Sequence, residues 1–151
     1  MLLQCIRIVI DLNLLTASLA AAQSSPWTYS SKTDIYGKVI ETAESGFSTT
    51  GGLIIRCKTS CEIYFVLRRG EVADKQSQVL IKFNSGKVQQ YGVVASEDSR
   101  ALFFQVPLKL IKAIRDNGGY MTIQYEPYEK YTEMNTLEVW NMPAQILARI
   151  K

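Results

Sequence analysis

The densest run of side chains able to do chemistry lies between Tyr125 and Glu133, where Glu126, Glu129 and Glu133 interleave with Tyr125, Tyr128 and Tyr131. Two carboxyls facing one another across a glycosidic bond can hydrolyse it, and for an exported chain the natural polymer would be a cell-wall glycan. The same run, interrupted by Pro127 and Lys130, also describes a solvated loop. The chain has no histidine, which removes the commonest general base, the usual catalytic triad and most zinc sites. It has no Ser-x-x-Lys motif either. The expectation is therefore a non-enzymatic protein without a metal or other cofactor, and a glycan binder or hydrolase built on residues 125–133 is the alternative.

As a binding surface, the same tyrosines make better sense. A tyrosine ring gives contact area at low entropic cost and its hydroxyl tolerates water. Tyr125, Tyr128 and Tyr131 are the candidates, while Tyr120 and Trp140 are expected to pack on the core. A second candidate surface is cationic: Arg56, Arg68 and Arg69, with Lys58 and Lys75, would meet anionic head groups, polymer phosphates or an acidic protein face. Charges of this kind also guard a sheet edge against aggregation. No basic stripe with interleaved aromatics is present, so nucleic acid is not an expected partner. The sequence leaves open whether a small molecule binds.

Three cysteines occur: Cys5, Cys57 and Cys61. The first 22 residues read as a secretory signal peptide, with Arg7 ahead of an apolar middle and the small-residue run Ala17-Ser18-Leu19-Ala20-Ala21-Ala22 at its end. An amphipathic helix packed on the domain is the rival. Asp11 leaves the apolar run too short to span a bilayer. Cleavage after Ala22 leaves Gln23 to Lys151 as one domain, periplasmic or secreted, and removes Cys5. The remaining pair, Cys57 and Cys61, then reads as a disulfide across a hairpin turn. A redox pair or half of a metal site are the other uses of such spacing, but the flanking residues are β-formers and two further thiolate or imidazole ligands are lacking.

These residues need elements to hold them. Leu53–Cys57 and Cys61–Leu67 form the strongest strand pair, and their nearly continuous apolar character predicts strands buried on both faces. Trp27–Ser31 and Gly37–Thr42 precede them, with a Ser/Thr/Gly loop over 45–52. Val79, Ile81 and Phe83 alternate against Leu80 and Lys82 ahead of the Asn84-Ser85-Gly86 turn into Lys87–Val94. Ala101–Val106 follows. Pro107 then opens a helix with Leu108, Ile111 and Ile114 on one face, ended by Asn117-Gly118-Gly119. Tyr120–Tyr125 and Thr136–Trp140 return to strand, and Pro143 opens a last helix with Ile146, Leu147 and Ile150 inward. The fold class is mainly β: an antiparallel β-sandwich or open barrel of about eight strands with two short covering helices. The length of 151 residues, the 47% apolar content and the net charge of +3 agree with one folded domain.

The order of features resembles a known family. Trp27 opens the processed chain, Thr33-Asp34-Ile35 and the Ser/Thr/Gly loop follow, and a strand ends in Arg56-Cys57. Then come Val79-x-Ile81-Lys82-Phe83 with its hairpin, Ser96-Glu97-Asp98, a Leu/Ile helix, Tyr125-Glu126-Pro127-Tyr128, and a late strand leading into a short helix. Over most of residues 27 to 150 this is similar to the TagO/VasI-like envelope proteins associated with bacterial type VI secretion, and to allied periplasmic proteins. The chain differs in its close Cys57–Cys61 spacing and in having no cysteine in the final helix. The resemblance implies an exported β-rich accessory protein whose partner is another envelope or secretion-apparatus protein. It carries over no catalytic residue.

Overall fold

A computed structural model describes residues 25–45, 50–72, 75–127 and 132–151. The expected signal peptide therefore lies outside the described residues. Nine antiparallel strands form one open sheet: β1 (Trp27–Thr33), β2 (Val39–Ser45), β3 (Gly51–Cys57), β4 (Cys61–Leu67), β5 (Gln78–Phe83), β6 (Gln89–Ala95), β7 (Ala101–Phe104), β8 (Tyr120–Tyr125) and β9 (Glu133–Glu138). Two helices accompany them, α1 (Pro107–Asn117) between β7 and β8 and α2 (Ala144–Arg149) after β9. The spatial order is β1-β2-β3-β4-β7-β6-β5-β8-β9. Strands β1 to β4 meander, the chain then jumps to β5, returns through β6 and β7 to pair with β4, and crosses by α1 to the far side of β5.

One face of this sheet holds the core. Leu53, Ile55 and Cys57 of β3, Cys61, Ile63, Phe65 and Leu67 of β4, and Val79, Ile81 and Phe83 of β5 are all buried. The alternation on β5 follows directly from the period-2 geometry of a strand. It also corrects the expectation for β3 and β4. They bury one face only: Arg56 and Glu62 are exposed, and Ile54, Tyr64 and Val66 are half-buried on the opposite side. Other boundaries move modestly. Ser45 belongs to β2, Gly51 and Gly52 to β3, and the late strand begins at Glu133 rather than Thr136.

Helix α1 begins where Pro107 fixes φ and needs no amide partner. It buries Leu110, Ile111 and Ile114 and contacts β4. Leu108, expected inward, is 42% exposed, because the core-facing arc of Leu110, Ile111 and Ile114 is centred near Ile114, about 120° around the helix from Leu108. The helix ends at Gly118 and Gly119, both at positive φ. A Cβ on Gly119 would strike the Asn84 side chain, whose Oδ1 accepts the Tyr120 amide at 2.9 Å. The β5–β6 turn thereby fixes where β8 starts. Helix α2 buries Ile146 and reaches β2 and β3.

The sheet curls strongly. An isolated antiparallel bridge joins Val72, beyond β4, to Pro127, beyond β8. Ser25, ahead of β1, donates to the Asn141 carbonyl beyond β9 at 2.9 Å. The two ends of the sheet thus approach each other with α2 beside them.

Candidate functional site

The β3–β4 hairpin is fastened to its surroundings at several points. Cys57 and Cys61 are the last register pair of the two strands and form a disulfide with their Cα atoms 4.0 Å apart. The Lys58 amide donates to the Ser60 carbonyl at 3.0 Å, closing the turn. The Lys58 ammonium lies 2.6 Å from Asp34 Oδ2 in the β1–β2 turn. Asp34 Oδ1 in turn accepts the Tyr36 and Lys38 amides at 2.9 Å each. Hydrogen bonding from Lys58 first, and then from the Lys38 amide, holds the Asp34 carboxyl below its ordinary value. At the C-terminal end, Arg149 pairs with Glu41 at 3.2 Å and donates to the Lys58 carbonyl.

Beside this hairpin, on the solvent side of β1 to β4, is a groove of about 700 Å³. Register rows explain its lining. Ser30, Thr42, Arg56 and Glu62 stand opposite one another across β1, β2, β3 and β4 and make a polar floor. Lys32 and the turn residues Lys58, Thr59 and Ser60 contribute to the lining. The next row runs Glu44, Ile54, Tyr64, Phe103 and Val94 across β2, β3, β4, β7 and β6. Its central members are apolar, and Phe103 and Val94 remain 36% and 54% exposed.

The two rows are coupled through Arg56. Its guanidinium pairs with Glu62 at 2.8 Å and lies 5.8 Å from the Tyr64 ring centroid. Tyr64 stacks on Phe103 with centroids 4.9 Å apart. Burial pushes the Tyr64 phenol above its ordinary value, with Arg56 opposing. The groove offers hydroxyls, one fixed ion pair and an aromatic–aliphatic ridge, an arrangement suited to recognition of a surface with a polar and an apolar edge.

The remaining expected site residues are dispersed. Arg68 and Arg69 follow the far end of β4, about 20 Å from Arg56 at the usual rise per strand residue. Lys75 lines another cavity, with Tyr125 and Glu126. The expected single cationic edge is therefore not formed: proximity in sequence was undone by the length of β4. Tyr125, expected at a binding surface, is 2% exposed, packs against Phe65 and donates to Glu133 at 2.7 Å. It is the last inward residue of β8. Tyr128, Tyr131 and Glu129 lie outside the described residues. Of the glutamates in that run, Glu126 is exposed and Glu133 is the acceptor of the Tyr125 hydroxyl. Tyr120, expected in the core, is 52% exposed, while Trp140 is half-buried. Among the described residues no cluster of three His, Cys, Asp or Glu side chains could hold a metal.

The apolar ridge was missed from sequence, although its members were visible. Ile54, Tyr64 and Val66 give β3 and β4 the continuous apolar pattern that in sequence predicts two buried faces. No family model, curated protein or solved structure matches the chain.

Proposed function

We propose that this chain is an exported, non-enzymatic accessory protein of the bacterial envelope that binds another envelope protein, with the type VI secretion apparatus as its setting. The observation that carries the reading is the Ile54–Tyr64–Phe103–Val94 row, an apolar and aromatic ridge, half-buried at Ile54 and Tyr64 and exposed at Phe103 and Val94, crossing four adjacent strands on the face opposite the core. Such ridges are costly in water and mark protein contacts when rimmed by polar groups, as this one is by Glu44, Arg56 and Glu62. The disulfide fits an oxidising compartment. Among the described residues no helix is long and apolar enough to cross a membrane.

The test is capture from envelope fractions by the wild-type protein and by Phe103→Glu. The reading expects a defined envelope protein to be held by the first and released by the second. Equal capture by both would overturn it. The alternative, a cell-wall-directed glycan binder or hydrolase at residues 125–133, is not favoured by the described residues of that segment, where Tyr125 is buried and Glu133 accepts its hydroxyl.

A further inference from the structure

A second surface, away from the ridge, has a different chemistry. Gln90, Leu80, Gln124 and Met134 stand in one register row across β6, β5, β8 and β9. Gln78 is two residues before Leu80 on β5, so its side chain projects from the same face. A cavity of about 330 Å³ is lined by these three glutamines, and a smaller one of about 90 Å³ continues from it over Leu80, Val88 and Met134. The two cavities share Leu80 and Gln124. Four strands in a row make the track about 14 Å long.

Three features of this track narrow what it can hold. The side-chain amides of Gln78, Gln90 and Gln124 make no hydrogen bond among the described residues. By contrast, Gln76 at the end of the track is committed, accepting the Glu126 amide at 2.8 Å and donating to the Gln78 carbonyl. The charges at that end, Lys75 and Glu126, offset one another, and Lys82, on the same face of β5, is the one further charge lining the track. Finally, Leu80, Val88 and Met134 are 36%, 60% and 70% exposed, so apolar surface lies directly beside the amides.

We infer that this track is a binding site for an uncharged oligosaccharide. A carboxamide presents a donor and an acceptor side by side. Neighbouring sugar hydroxyls present the same pair, so one amide can satisfy two of them at once. A polycation finds no net countercharge here, and a polyanion finds the single cation Lys82 at the rim rather than a basic cluster. The C–H face of a pyranose ring covers Leu80 and Met134 while its hydroxyl edge meets the glutamines. The row length admits an oligomer rather than a single sugar. This inference stands independently of the ridge and of the partner proposed for it.

The experiment is titration of the isotopically labelled full chain with cellotetraose, chitotetraose and maltotetraose, read through the glutamine side-chain amide resonances. At least one of these probes should shift the Gln78, Gln90 and Gln124 signals saturably, with affinity at or better than about 1 mM. Gln90→Leu and Gln124→Leu should each weaken that binding about tenfold, while Lys112→Ala on α1 leaves it unchanged. Absence of saturable shifts with all three probes would overturn the assignment. So would binding that survives the double Gln90→Leu/Gln124→Leu variant, or shifts produced by an uncharged extended peptide but by none of the sugars.

Discussion

Phe65 on β4 and Tyr125 on β8 hold their ring centroids 5.3 Å apart, although four strand spacings, about 19 Å in a flat sheet, separate their strands. The sheet must therefore curl until its fourth and eighth sequence strands face each other across the core. Both side chains are essentially inaccessible to water. This contact defines the inside of the domain, and by exclusion leaves Tyr64 and Phe103 outside.

Phe65→Ala should consequently cost about 3–5 kcal/mol, the range for removing a buried aromatic. Phe103→Ala should cost about 1 kcal/mol, since its ring is partly exposed and loses mainly the Tyr64 stack. Urea unfolding of the two variants measures the difference. Equal costs would mean that the curl has been assigned to the wrong face.

Opening the Cys57–Cys61 disulfide should destabilise the domain by only ~2 kcal/mol, because the loop it closes is short. The double variant Cys57→Ser/Cys61→Ser should remain folded. Its groove should nevertheless loosen, because Lys58, Thr59 and Ser60 line it. Amide hydrogen exchange across residues 56–62 is the measurement, with faster exchange expected there than in β5 and β8.

Asp34 provides a pH dependence of known sign. Its folded-state pKa is lowered, so the stability it contributes is fully present above the ordinary aspartate value of 3.8 and fades as pH falls through the depressed folded value. Denaturant midpoints measured downward from pH 5 should decline more steeply for the wild type than for Asp34→Asn. Parallel curves would show that the Lys58 pair links the two turns without contributing to stability.

Export is checked by the intact mass of protein recovered from the periplasm, with and without a thiol-alkylating reagent. The expected mass is that of Gln23 to Lys151 less two hydrogens, unchanged by the reagent. A full-length mass with alkylatable thiols would place the chain in a reducing compartment.

Much of the fold was legible residue by residue. The Pro107 start and Gly118-Gly119 stop of α1, the Cys57–Cys61 turn, and the alternation of Val79, Ile81 and Phe83 are local signals that the structure keeps. Strand order was not legible, because the β4–β7 and β5–β8 pairings join segments far apart in sequence and leave no local trace. The site was read through the wrong residues for the same reason. Arg56 and Arg68 are near in sequence but lie toward opposite ends of the β3–β4 hairpin. Tyr125 looked like a surface ring until its register on β8 turned it inward. The ridge escaped because an apolar residue on a strand carries no mark of which face it occupies unless its neighbours are polar. In β4 they are Phe65 and Ile63.

Photo-crosslinking in living cells shows whether the outer face of β3, β4, β7 and β6 meets another envelope protein. A photoreactive residue at position 103, on the ridge, is compared with one at position 112, on the exposed side of α1. A discrete adduct with one envelope protein is expected from position 103 and none from position 112. No adduct from position 103, or the same adduct from both positions, would contradict such a contact.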